Sequence, residues 1–204
     1  GIHIEQGRHA LQDVIIPSFI PNDTIARPGS VHVITGPNSS GKSVYCKQVA
    51  IIVVLAQIGS CVPAKACKLG IVDAIYTRIS SLESISLSQS SFFIDASQVA
   101  GMLRNATATS LVILDEWGKG TVEAEGMALF AATLNELLGR QREEAPLCFA
   151  ATHFSDILSE QYLPMSNDRL CTFSMEYTVE RRECEERLAD LKANLHDRLL
   201  NEQT

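Results

Sequence analysis

The fold of this chain is decided by the stretch Gly36-Pro37-Asn38-Ser39-Ser40-Gly41-Lys42-Ser43. Before it stands Val31-His32-Val33-Ile34-Thr35, a β-branched run that predicts a buried strand, and residues 42–57 predict a mostly buried helix. The loop has the spacing G-x-x-x-x-G-K-[ST] between a strand and a helix, the context that this motif requires. Backbone N–H groups around the glycines, together with the helix N-terminus, favour a bound phosphate.

The same eight loop residues, Gly36 to Ser43, are therefore candidate contacts for the phosphates of a nucleotide such as ATP. Lys42 is expected to reach the β- and γ-phosphates, and the Ser43 hydroxyl is placed to bind Mg²⁺. The sequence thus predicts a site for MgATP at the start of the helix.

A second stretch supplies the acids that such a site needs. Four apolar residues, Leu111-Val112-Ile113-Leu114, precede Asp115 and Glu116 and predict a buried strand with two carboxylates at its end. Ligands of open α/β sheets bind at the carboxyl ends of the strands. We expect this strand to neighbour the one before the loop, with Asp115 on the metal side. Glu116 is then the candidate base that orients and deprotonates an attacking water.

A histidine follows the next predicted strand, in Ala150-Ala151-Thr152-His153. A histidine in that position is usually structural. Here it is expected at the same rim of the sheet as the phosphate loop, so His153 is a candidate contact for the γ-phosphate or the attacking water.

Strands and helices alternate along the chain, which predicts an α/β fold with a mainly parallel sheet flanked by helices. We expect antiparallel strands at the edges of that sheet. Further strands are predicted at residues 71–79, 147–151 and 171–179, and helices at 91–105 and 122–138. Residues 180–202 carry Cys184, Leu188, Leu191, Leu195 and Leu199 at helical spacing, so the chain divides into a domain at 1–178 and an amphipathic helix within 179–204.

Composition excludes several classes of protein. The chain has 204 residues, 46% of them apolar, and a net charge of −7, which is incompatible with disorder of the whole chain. The negative net charge argues against nucleic-acid binding by this chain alone. The six cysteines form no C-x-x-C pair, which favours free thiols in a reducing compartment over a zinc site. The chain begins Gly1-Ile2 without Met, so we expect it to be a piece of a longer protein.

Three motifs in combination resemble the ATPase domain of the MutS family of DNA mismatch-recognition proteins, which are P-loop NTPases of the ABC type. They are the phosphate loop, Asp115-Glu116-Trp117-Gly118-Lys119-Gly120-Thr121 and Ala151-Thr152-His153-Phe154. The likeness begins at Gly7-Arg8-His9 and covers most of the chain. It implies a Mg-dependent ATPase that drives a DNA clamp. The DNA would be bound by regions outside this chain, and no membrane is involved.

The resemblance also implies roles for two further residues. Phe19 matches the aromatic residue that stacks on adenine, and Ser90 matches the signature serine that reaches the γ-phosphate bound by a partner subunit. The implied assembly is a dimer, expected to be a heterodimer with a second MutS-family subunit, in which nucleotide is sandwiched between two such domains.

Departures from the family pattern point to one branch. Asp95 stands where the family usually has Glu, and Lys119 where it usually has Arg. Together with residues 93–100 they look most like the meiotic, fifth eukaryotic MutS homologue, which implies action on recombination intermediates at chromosomes in the nucleus. A mismatch-repair homologue remains the alternative within the family.

Other classes of protein stay open. Leu87-Ser88-Gln89-Ser90-Ser91 is faintly similar to the signature of an ABC transporter nucleotide-binding subunit. A module that dimerises around ATP without hydrolysing it would carry the same phosphate loop. A small-molecule kinase is the weakest alternative, since nothing in the sequence resembles a second substrate pocket or lid. The C-terminal helix could bind a partner or pack on its own domain.

Overall fold

The computed structural model describes residues 1–16, 18–79 and 91–176. No helix in those ranges is long and apolar enough to cross a membrane. The helices are α1 (Gln12–Ile15), α2 (Lys42–Gln57), α3 (Ser91–Asn105) and α4 (Glu123–Gly139), with a 3-10 turn at Ser155–Ile157. The strands are β1 (Ile2–Gly7), β2 (Asn22–Ala26), β3 (Val31–Thr35), β4 (Ala66–Leu69), β5 (Ile75–Arg78), β6 (Leu111–Asp115), β7 (Leu147–Ala151) and β8 (Leu170–Ser174).

The main sheet has five parallel strands in the order β5-β6-β7-β3-β8. The predicted α/β fold with a parallel sheet flanked by helices is confirmed. The expectation of antiparallel edge strands is wrong for the described residues, because β5 and β8 both pair in parallel with their neighbours. Antiparallel pairing belongs instead to a separate three-stranded sheet, in the order β2-β1-β4.

The direction of β8 follows from the connection that leads to it. The chain leaves β7, makes the 3-10 turn and runs along the protein before β8 begins, so it returns to the end of the sheet where β7 began. A connection of that length permits parallel pairing, whereas a short hairpin enforces the antiparallel kind. Hydrophobic patterning alone does not distinguish the two.

Most element boundaries agree with the predictions from sequence. Helices α2 and α3 and strand β7 span the predicted residues, and β5 occupies only the second half of the predicted 71–79 strand. The end of the predicted 171–179 strand, the C-terminal helix at 180–202 and the boundary between 178 and 179 lie outside the described residues. Those parts stay predictions.

Two apolar cores cover the two faces of the main sheet. In β6, Leu111 and Ile113 pack with α2 in one core, and Val112 and Leu114 pack with α3 and α4 in the other. This is why the strand is apolar at every position, as expected of a parallel strand that is covered on both faces. The arrangement fixes the carboxyl ends of β3, β6 and β7 along one edge, where Asp115 and the phosphate loop emerge.

Candidate nucleotide site

The phosphate loop connects β3 to α2, and its glycines are required by geometry. Gly36 and Gly41 have φ of +142° and +94°. A Cβ atom at Gly36 would lie 2.4 Å from the Met175 carbonyl oxygen. Only glycine meets both conditions without strain.

The Lys42 side chain folds back onto the phosphate loop. Its ammonium group donates hydrogen bonds to the carbonyls of Gly36 and Pro37, with Nζ–O distances of 2.7 and 2.9 Å. Only 5% of the residue is exposed. Both acceptors are neutral, and a hydrogen bond from an ammonium group to a phosphate oxygen is stronger than one to a neutral carbonyl. Lys42 can therefore exchange these carbonyls for an anionic ligand.

The loop has unused capacity for hydrogen bonding. The Ser40 hydroxyl is buried and has no hydrogen-bond partner within the described part of the chain. Gly41 caps α2 without a side-chain acceptor, and the first N–H groups of any α-helix have none inside the helix. A cavity of about 180 Å³ opens at this point, lined in part by Asn38, Ser39, Lys42, Ser43 and Glu116. Donors around a cavity at a helix N-terminus fit the phosphates of a nucleotide.

The predicted metal-side pair is in contact. The Ser43 hydroxyl donates to a carboxylate oxygen of Asp115 across 2.7 Å, and Asp115 is buried. The expectation that β6 neighbours β3 is wrong, because β7 lies between them. The side chains nevertheless span that gap. A hydroxyl and a carboxylate are the oxygen ligands that Mg²⁺ takes, so these residues fit the metal.

Glu116 is held in an unusual backbone conformation, with φ of +53°. Its N–H donates to the Ala151 carbonyl at 2.9 Å, and its own carbonyl accepts from the Lys119 N–H at 3.2 Å. These bonds fix a tight turn directly after β6. A non-glycine residue at positive φ persists only when its surroundings determine it, and such residues cluster at functional sites.

The electrostatics of Glu116 favour its ionised form. Partial burial raises the pKa of its carboxyl, but a hydrogen bond and the positive charge of Lys119, with smaller effects of His153 and Lys42, lower the pKa below its ordinary value. The Lys119 ammonium lies 2.6 Å from the Glu116 carboxylate. The carboxylate is therefore ionised at neutral pH, the state in which it can accept a proton.

His153 lies just beyond β7, with an exposed ring whose centroid is 4.2 Å from that of Phe154. An electrostatic interaction with His153 is among the effects that lower the pKa of Glu116, so the two residues lie near each other at one edge of the sheet. A contact between His153 and a phosphate stays a prediction.

The structure does not bring all the predicted residues together. Phe19 is half-buried in the loop before β2, where its N–H donates to the Ile16 carbonyl and its carbonyl accepts from Arg8. Its stacking on adenine stays a prediction. Ser90 lies outside the described residues.

Sequence reasoning missed Arg78 and the contacts of Trp117. Arg78, at the end of β5, is 5% exposed and donates to the carbonyls of Asp115 and Glu116. The Trp117 indole donates to the Thr133 hydroxyl on α4. The sequence carried no signal for the contacts of Arg78, because β5 is partly exposed and an arginine at the end of such a strand is ordinarily a surface residue.

A strand, a glycine-rich loop and a helix meet an acidic strand end at one edge of a parallel sheet. This arrangement defines a P-loop-like domain of the α/β class. Comparison with known families narrows this class, since the model of MutS domain V matches residues 32–192. The chain belongs to the MutS family.

Individual relatives from bacteria and fungi also belong to the MutS family. The chain is 40% identical over 185 residues to the DNA mismatch repair protein msh3 of Botryotinia fuckeliana, covering 88% of this chain and 16% of the relative. It is 43% identical over 160 residues to the DNA mismatch repair protein MutS of Acetivibrio thermocellus, covering 76% and 18%. It is 39% identical over 175 residues to MutS protein homolog 5 of Saccharomyces cerevisiae, covering 79% and 19%. The chain thus spans less than a fifth of the length of these three, and similar identities do not separate the branches.

Proposed function

We propose that this chain is the Mg-dependent ATPase domain of a MutS-family protein, in which ATP hydrolysis drives a DNA clamp. The observation that carries the proposal is the hydrogen bond from Ser43 to Asp115 beside the phosphate loop, with the ionised Glu116 next along the chain. Membership of the MutS family supports the same activity.

Each residue then has a role. Backbone N–H groups of residues 36–43 bind the phosphates, and Lys42 exchanges the carbonyls of Gly36 and Pro37 for phosphate oxygens. Ser43 and Asp115 would hold Mg²⁺, which neutralises phosphate charge when it is bound. Glu116 orients a water and accepts its proton.

The remaining roles rest on resemblance to the family. His153 contacts the γ-phosphate or the water, Phe19 stacks on adenine, and Ser90 acts on the nucleotide of a partner subunit. The partner is a second MutS-family subunit, and DNA is bound by regions outside this chain. This assembly would operate on chromosomes in the nucleus.

We favour the meiotic branch, with branched recombination intermediates as the DNA, because Asp95 and Lys119 replace the usual Glu and Arg. Mismatch repair is the second candidate, and the relatives named as mismatch-repair proteins support it. Sequencing the complete reading frame separates the two. A Phe-x-Glu mismatch-wedge motif in its N-terminal region would favour repair, and its absence the meiotic role.

The nucleotide site is tested by equilibrium binding of MgATP to the full-length protein. Lys42→Ala should weaken binding about a hundredfold or more, since it removes the buried cation that faces the phosphates. Lys47→Ala is the matched control, because Lys47 lies on the same helix one turn beyond the loop. Equal binding by the Lys42→Ala protein and the wild type would contradict the assignment.

A further inference from the structure

Arg78 is the only side chain in the described residues that links the backbone of both acids to another element. Its Nη1 group donates to the Asp115 carbonyl at 2.5 Å and to the Glu116 carbonyl at 3.3 Å. Its Nη2 group donates to the carboxylate of Asp95 on α3. One guanidinium therefore joins β5, the end of β6 and α3.

The Arg78–Asp95 ion pair is buried, with side chains 5% and 15% exposed. Removing two charges from water is costly, and the cost is offset only when their remaining hydrogen-bonding groups are used. Arg78 meets this condition at both terminal nitrogens, which donate to two carbonyls and to a carboxylate, while its buried Nε has no partner in the described residues. A lysine could not span both directions.

A second contact joins the same helix to the residue after Glu116. The ring of Phe92, in the first turn of α3, stacks on Trp117 with centroids 5.9 Å apart and planes 12° from parallel. Helix α3 thus contacts the chain on both sides of Glu116, through Arg78 and through Trp117.

The backbone conformation of Glu116 explains why the contacts of Arg78 and Trp117 are needed. Its positive φ is unfavourable for a residue with a side chain, so neighbouring bonds must hold it. Arg78 holds the Glu116 carbonyl and the preceding one, and it is itself held by Asp95. Loss of Asp95 leaves the guanidinium without its counter-ion and free to change partners.

We propose that Arg78 and Asp95 are positioning residues, which hold the backbone of Asp115 and Glu116 so that the Glu116 carboxylate is set for proton transfer. The inference rests on the ATPase activity proposed above and adds α3 as the element that controls the base. The pair acts on catalysis through Glu116 and does not touch the phosphate loop.

The test compares kcat and KM for ATP in the full-length protein and three variants. Asp95→Asn should lower kcat about tenfold with KM for ATP within about threefold of the wild type. Asp95→Glu keeps the charge and should restore most of kcat. Asp168→Asn is the matched control, because it breaks an exposed arginine–aspartate pair, with Arg142, and should change neither parameter.

Asp95→Asn leaves a buried cation unpaired, so its melting temperature is measured alongside. If that variant unfolds, Phe92→Leu tests the other contact without burying a charge, and it should lower kcat with KM unchanged. Wild-type kcat in Asp95→Asn, or in Phe92→Leu where that variant replaces it, would overturn the inference. So would a rise in KM that matches the fall in kcat. Absence of turnover in the wild-type protein would instead refute the proposed function.

Discussion

Glu116 shows how a single residue is tuned by its neighbours. The carboxylate is partly buried, which by itself would favour the protonated form, yet Lys119 at 2.6 Å reverses the effect and lowers the pKa. Lys119 thus contacts the proposed base directly, through a hydrogen bond from its ammonium group to the Glu116 carboxylate.

Replacing Lys119 with Ala should raise the pKa of Glu116, because the opposing cation is lost. A base works only when it is deprotonated, so the acidic limb of the profile of kcat/KM against pH should move to higher pH. Lys65→Ala, which removes an exposed lysine paired with Glu5, should leave the profile unchanged. An unmoved limb in Lys119→Ala would show that Lys119 does not set this pKa.

At this scale, the sequence predicts residues from local motifs, such as the phosphate loop and the two acids at 115 and 116. The structure places Ser43 and Asp115 in hydrogen-bond contact, and their roles stay predictions. Arg78 and the Lys119–Glu116 pair could not be predicted, since their partners are set by how β5, α3 and the turn after β6 pack together.

Among the elements, the loop after β6 is pressed against the first turn of α4. A Cβ atom at Gly118 would lie 2.3 Å from the Gly126 carbonyl oxygen, and one at Gly126 would lie 2.2 Å from that of Gly118. Gly118 also has φ of +92°. These two glycines therefore allow the backbone of the loop and that of α4 to come into contact, two residues after Glu116.

Gly126→Ala should therefore displace this loop and lower the free energy of unfolding by about 1–3 kcal/mol. Chemical denaturation measures the loss. Gly139→Ala, in the same helix with open space around its Cβ position, should be neutral or slightly stabilising. Equal stability of the two variants would contradict the close contact.

The core elements were predicted to within one residue, because their apolar runs or apolar periodicity reflect packing in the core; they are α2, α3, α4, β3, β6 and β7. The exposed helix α1 was not predicted. Strand direction was not predictable in the same way. Residues 170–174 alternate weakly and fit either direction, and the path of the chain between β7 and β8 decided the parallel pairing.

At the scale of the whole molecule, the negative net charge is compatible with membership of the MutS family. A net charge of −7 is consistent with the proposal that this domain binds ATP and a partner while other regions bind DNA. The chain covers less than a fifth of the length of the relatives compared above.

The central claim, that this chain hydrolyses ATP with Glu116 as the base, is tested most directly by steady-state phosphate release from the assembled full-length protein. The wild type should turn over, and Glu116→Gln should bind MgATP with similar affinity while releasing phosphate about a hundredfold more slowly. Phosphate release by Glu116→Gln at the wild-type rate would contradict the claim. Absence of release from the assembled wild type would identify a module that binds ATP without hydrolysing it.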